Sequence, residues 1–195
     1  MNKTLDYYNT NAALFTENTI NVEMSGLQNT FTEMLPTNGT ILDLGCGTGR
    51  DSLSFSKAGF SVVSVDGSEE MCKVASKLLG HDIICSLFEN YDTDISFDGI
   101  WACSSLLHVE KSNLAGIIGK YARMLKPEGI FYMSFKYGDF CGEKNGRYFT
   151  DLNEEELAKI IENVPELELI KSAITFDVRP ERSSERWLNA FYRRK

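Results

Sequence analysis

The chain has 195 residues, with 20 basic and 28 acidic side chains and a net charge of −8. That length fits one domain, the 43% apolar share supplies a sizeable core, and the acidic balance argues against a general nucleic-acid or anionic-membrane surface. Five scattered cysteines (Cys46, Cys72, Cys85, Cys103, Cys141), with no C-x-x-C pair and no cysteine–histidine cluster, argue against zinc and against a disulfide framework.

In chain order, Met1 to Asp6 carry no apolar signal region, and no later run approaches a membrane span, so a cytoplasmic protein is expected. Residues 4–16 and 22–35 read as two short helices, the second with Met24, Leu27, Phe31, Met34 and Leu35 on one stripe. Pro36 to Gly39 is a turn. Strand 40–44 leads to helix 49–58, which Gly59 ends, and strand 61–65 follows. Ser68 reads as an N-cap, with Glu69 and Glu70 in the first turn of a helix that stops at Gly80. A short strand 81–86, strand 98–103, helix 112–125 and strand 129–136 come next. Residues 137–150 read as a long polar-aromatic loop. Asp151 with Glu154 resembles a capping box for helix 152–163. Segments 167–176 and 186–194 close the chain as strands. Such alternation predicts a doubly wound α/β fold, a parallel sheet with helices on both faces and a ligand beyond the strands' carboxyl ends.

One segment stands out. Residues 40–49 read Thr-Ile-Leu-Asp-Leu-Gly-Cys-Gly-Thr-Gly, a buried strand running into a turn almost free of side chains, with a helix starting near Arg50. Asp66 lies 21 residues past Gly45, a spacing that suits a carboxylate gripping a ribose diol. A nucleoside-containing cofactor is therefore expected. The dinucleotide fingerprint asks for a third glycine where Arg50 stands. Asp43, just before the turn, is poorly placed for a pyrophosphate but acceptable beside a cationic ligand.

Ile41–Arg50 resembles motif I of the class I S-adenosylmethionine-dependent methyltransferases, and the likeness covers about residues 36–136. It implies a Rossmann-like seven-stranded, mostly parallel sheet with an antiparallel last strand, in a single domain spanning residues 1–195. Residues 1–36 would form a helical cap over the cofactor. It further implies that Gly45, Gly47 and Gly49 line the methionine and ribose part of S-adenosylmethionine, with Asp43 and Cys46 also in the cofactor-binding set. Asp66 would hold the ribose hydroxyls, and Gly67, Ser68 and Met71 would border the adenine. Leu87 and Phe88, with Glu89, follow the third strand, where this family contacts adenine; plain core packing explains the first two as well. Arg50 would clamp the methionine carboxylate or pair with Asp51 or Asp43. Cys103, at the end of the fourth strand, reads as a small buried residue and completes the cofactor set.

Methyl transfer from a sulfonium is a direct displacement that needs alignment, exclusion of water and, for some acceptors, a base. No metal is required. The fourth-strand segment 101–109 has neither the [D/N]-P-P-[Y/F] pattern of amino-group methyltransferases of DNA adenine and glutamine nor the Pro-Cys of cytosine C5 enzymes. His108, at that strand's exit, is a candidate base or substrate donor, with a capping or core role as the alternative. His81 reads as a solvated residue at a helix end. Lys136 and Arg147 bracket the loop 137–150, the candidate substrate lid, and Tyr8 with Tyr7 would close the site from the N-terminal helix, with helix packing as the alternative role of the two tyrosines. The basic residues between Arg179 and Lys195 guard an edge strand or attract an anionic substrate.

The expected function is methyl transfer to a small molecule by a monomer or homodimer, with no membrane or nucleic-acid partner. The pattern looks most like small bacterial stand-alone methyltransferases of the tellurite-resistance-like and unassigned groups. Three alternatives stand beside it. The first is a tRNA wobble-uridine-type methyltransferase, whose aromatic loop Arg147-Tyr148-Phe149 resembles. The others are a non-catalytic cofactor-binding subunit and an NAD-dependent oxidoreductase.

Overall fold

The computed structural model describes residues 3–195; residues 1 and 2 of the expected cap lie outside the described residues. Helices α1 (Lys3–Thr19) and α2 (Ser25–Thr32) precede strand β1 (Thr40–Leu44), helix α3 (Arg50–Lys57), strand β2 (Ser61–Asp66) and helix α4 (Glu69–Leu79). Strands β3 (Ile84–Cys85) and β4 (Phe97–Ala102), helix α5 (Lys111–Ala122) and strand β5 (Leu125–Lys136) complete the alternating core. Strands β6 (Cys141–Lys144) and β7 (Arg147–Thr150), helix α6 (Glu154–Ile161), and strands β8 (Leu167–Phe176) and β9 (Arg186–Arg194) follow.

Seven strands form one sheet in the order β3-β2-β1-β4-β5-β9-β8. The first five are parallel, and β9 runs antiparallel to both neighbours, pairing Tyr132 with Phe191 and Ala173 with Asn189. Strand order reverses between β1 and β4, so the carboxyl ends of β1 and β4 open a crevice there. The sheet buries both faces. Ile41, Trp101, Tyr132 and Phe191 lie with Phe31 and Phe55 on one side, and Leu42, Ile100 and Phe131 with Leu114, Ile118 and Leu157 on the other. Trp101 stacks on Tyr132 at 3.9 Å between ring centroids.

Local signals explain most boundaries. The Ser68 hydroxyl accepts the Met71 N–H at 3.2 Å, and Gly80 closes α4 in the left-handed conformation. Four expectations are corrected. Helix α5 stops at Ala122 and β5 begins at Leu125, passing through Pro127, because the Met124 carbonyl already accepts the Phe97 N–H at 2.9 Å. Only Ile84 and Cys85 of segment 81–86 join the ladder. The α6 cap is Asn153, which accepts the Glu156 N–H at 2.9 Å, and not an Asp151–Glu154 box. The expected loop 137–150 contains the β6–β7 hairpin, which turns at Asn145 (φ 51°) and Gly146 (φ 76°). Asn-Gly is the preferred dipeptide for that turn, so the sign was present in the sequence.

Helix α1 packs on α4 and on β7, which brings the chain's start over the crevice. The Tyr148 N–H donates to Thr4 Oγ1 at 3.0 Å and the Ser68 hydroxyl to Asn9 Oδ1 at 2.7 Å. Among the described residues no helix is long and apolar enough to cross a membrane, and no group of three His, Cys, Asp or Glu could hold a metal ion.

Candidate active site

The turn after β1 is drawn tightly onto its neighbours. The Gly45 and Cys46 N–H groups both donate to the Val65 carbonyl, at 2.8 and 3.0 Å, and Ser105 Oγ donates to the Leu44 carbonyl at 2.6 Å. At Gly45 (φ 79°) a Cβ would lie 2.4 Å from that of Ser105, so only glycine lets the β4 exit approach this closely. Gly47 (φ 54°) differs: a Cβ there would meet only Phe15, at 3.9 Å, and would point into open space. Asp66 fixes this arrangement. Its Oδ2 accepts the Gly47 N–H and its Oδ1 the Ser68 N–H, both at 2.8 Å. Burial raises the Asp66 pKa, and those backbone donors oppose the rise.

Beneath the loop is a polar floor. Asp43 is buried at 2% exposure and accepts from Ser52 Oγ at 2.6 Å. Burial and the neighbouring Asp51 carboxylate push its pKa well up. Asp51 accepts from Gln28 Nε2, Arg50 Nε, Arg50 Nη2 and Trp101 Nε1 at 2.7–2.9 Å. Arg50 therefore pairs with Asp51, one of the roles expected of it, and donates to the Thr19 carbonyl at 3.2 Å. Neither Gln28 nor Trp101 carries a sequence sign of this role, since only packing brings them to one carboxylate.

A cavity of about 890 Å³ opens over the loop. Asp43, Gly45, Cys46, Gly47, Arg50 and Asp66 line it near the turn, and Gly67, Met71, Leu87, Phe88, Glu89 and Cys103 line it beyond. Two residues expected in this set serve the scaffold and do not line the cavity. A Cβ on Gly49 would lie 3.2 Å from that of Ala75, so this glycine lets α3 and α4 approach, and Ser68 is the cap of α4. Burial raises the Cys46 pKa well above the usual thiol range and that of Cys103 to about 12, leaving both as thiols.

The cavity's other half unites residues far apart in the chain. His108 Nδ1 lies 2.7 Å from the Tyr148 carbonyl, which only accepts, so Nδ1 carries the proton. Nε2 is then an acceptor, and the Tyr8 hydroxyl donates to it at 2.9 Å. Burial lowers the His108 pKa to about 4, with Arg147 and Lys136 nearby also favouring the neutral ring, and burial raises that of Tyr8. Arg147 Nη1 donates to the Tyr8 oxygen at 3.4 Å. Lys136 lines the same cavity but donates to Glu185 Oε2 at 2.5 Å. Three of the four residues expected to act on the substrate thus form one hydrogen-bonded chain. Sequence reasoning missed the Tyr148 carbonyl, which no side-chain pattern reveals.

Residues 41–129 match the sequence model of a family described as a methyltransferase domain. A putative methyltransferase of Bacillus subtilis (strain 168) is 33% identical over 132 residues, covering 62% of this chain and 52% of that protein. The cypemycin N-terminal methyltransferase of a Streptomyces species is 32% identical over 106 residues, 50% of this chain and 42% of that one. The chain thus spans about half the length of the curated relatives it matches. Among solved structures, the CcbJ methyltransferase of Streptomyces caelestis superposes with a TM-score of 0.78 at 18% identity, covering 100% of this chain and 99% of that one. The 1,6-didemethyltoxoflavin-N1-methyltransferase of Burkholderia thailandensis, solved with 1,6-didemethyltoxoflavin and S-adenosylhomocysteine, superposes at 0.75 with 20% identity, covering 98% and 85%. The chain has the fold of the class I S-adenosylmethionine-dependent methyltransferases, as its motif indicates.

Proposed function

We propose that this protein is an S-adenosylmethionine-dependent methyltransferase acting on a small molecule. The observation that carries the reading is the loop at Gly47: Asp66 clamps its amide, its missing side chain leaves space over the turn, and that space continues to Tyr8 and His108. The residues suit this cofactor. Two carboxyls, Asp43 and Asp66, border the loop, and its one arginine is engaged by Asp51, a donor set suited to a cation and unsuited to a pyrophosphate. The methyltransferase relatives and the S-adenosylhomocysteine in the Burkholderia structure point the same way.

Asp66 would hold the ribose hydroxyls with its remaining lone pairs, Leu87 and Phe88 would cover the adenine, and Asp43 would place a carboxyl beneath the cationic end, its ionised form favoured by the bound cation. Bound there, the cofactor supplies an electrophilic methyl group whose sulfur leaves as a neutral thioether. Residues 3–36 and the hairpin within 137–150 act as cap and lid that exclude water. Tyr8 Oη and His108 Nε2 take up the acceptor's proton. A base as weak as His108 suffices, because a nitrogen or oxygen nucleophile becomes acidic as it is alkylated. The net charge of −8 favours a small acceptor over tRNA.

Calorimetric titration with S-adenosylmethionine, S-adenosylhomocysteine and NAD⁺ in parallel tests the reading. Micromolar binding of the first two alone is expected. Binding of NAD⁺ alone refutes it, and cofactor binding without methyl transfer to any component of a metabolite extract marks a non-catalytic subunit.

A further inference from the structure

We infer that Arg147 anchors a carboxylate on the methyl acceptor; the inference rests on the methyltransferase reading and names its substrate class. Six lysines and arginines line the cavity: Lys3, Arg50, Lys136, Arg147, Arg179 and Arg182. Four carry their own carboxylates, in the pairs Lys3–Glu143, Arg50–Asp51, Lys136–Glu185 and Arg179–Asp177. Among the described residues Arg147 and Arg182 form no ion pair, and of these two only Arg147 touches the Tyr8–His108 pair.

The surroundings of Arg147 sharpen the point. Its guanidinium lies 4.3 Å from the Tyr7 ring centroid, 5.0 Å from that of Phe149 and 5.7 Å from that of Tyr8. These rings strip water from the cation and attract it, yet accept no in-plane hydrogen bond. Nη1 is directed at Tyr8, and Nε is buried with no partner. A guanidinium held among rings with its Nε unpaired is costly until an anion meets it. The Nε–Nη2 edge is a planar fork that matches the two oxygens of a carboxylate. An acceptor held there sits beside the Tyr8 hydroxyl and so within the proton path. Asp151, whose Oδ1 is also unpartnered, lines a smaller cavity with Arg147, but among the described residues no ion pair joins the two.

The test uses protein saturated with S-adenosylhomocysteine and titrated with benzoate, glycine and malonate, each against its primary amide, and with inorganic phosphate. At least one carboxylate should bind about tenfold or more tighter than its amide. Arg147→Gln should remove that preference and leave S-adenosylhomocysteine affinity within about twofold, because the guanidinium faces the acceptor and not the cofactor. Arg147→Lys, which keeps the charge and loses the fork, should fall between and guards against a folding defect in the glutamine variant. Equal binding of acids and amides, binding of none of the acids, or a preference that survives Arg147→Gln overturns the proposal. Binding of phosphate alone likewise overturns the carboxylate assignment. A large loss of S-adenosylhomocysteine affinity in Arg147→Gln reassigns the guanidinium to the cofactor and overturns the proposal. Failure of the unaltered protein to bind S-adenosylhomocysteine refutes instead the methyltransferase reading beneath it.

Discussion

His108→Asn removes a titrating ring but leaves an N–H donor on the side facing the Tyr148 carbonyl. In the native protein burial lowers the His108 pKa from 6.5 to about 4. The unfolded chain therefore binds a proton through that window while the folded chain does not. The neutral ring's contribution is fully present above pH 6.5 and is lost as the pH falls through about 4. The loss amounts to about 2 kcal/mol at pH 5 and at most about 3 kcal/mol in all. Urea unfolding followed by the fluorescence of buried Trp101, between pH 7.5 and 4.5 on both proteins, measures it. Carboxyl groups elsewhere titrate alike in both, so the wild-type advantage should shrink with acid. Parallel stability curves across that range would refute the buried neutral ring, and with it Nε2 as the acceptor of the Tyr8 hydroxyl.

Further outcomes follow from the loop and its floor. Gly47→Val should abolish binding of S-adenosylmethionine in calorimetry and cost about 1–2 kcal/mol of stability, because its side chain enters the cavity from a left-handed backbone position. Gly45→Ala should cost about 2–4 kcal/mol in urea unfolding, since its Cβ would collide with that of Ser105; an unchanged midpoint would mean the β1 and β4 exits are not so closely joined. Asp51→Ala should cost about 3–5 kcal/mol, leaving Arg50 without its ion pair and the indole N–H of Trp101 unbonded. Full stability in that variant would show the buried carboxylate to be dispensable.

The glycine loop, the acid before it and Asp66 were legible in the sequence because each is a local requirement. A tight turn needs small residues, a helix start needs free N–H groups, and a βα repeat fixes the distance from one strand end to the next. Strand–helix alternation set the parallel order for the same reason, and Ser68 and Gly80 marked their helix ends through chemistry confined to a few residues. The Asn145-Gly146 turn was equally local. It was read as part of a loop because the four-residue strands beside it carry little alternation.

The half of the cavity around Tyr8 and His108 had no such signature. Tyr8, His108, Tyr148 and Arg147 come from the first helix, the β4 exit and the hairpin, and the decisive partner of His108 is a backbone carbonyl common to every residue type. That Arg50 takes Asp51, that Lys136 takes Glu185 and that Arg147 takes no carboxylate depends on distances set when the hairpin and α1 meet across the sheet. Composition determined that the chain could bury a core, and spacing determined that Asp66 would meet its glycine loop. Charge pairing and proton position were decided only by tertiary packing, because both depend on burial and on contacts between segments up to 144 residues apart.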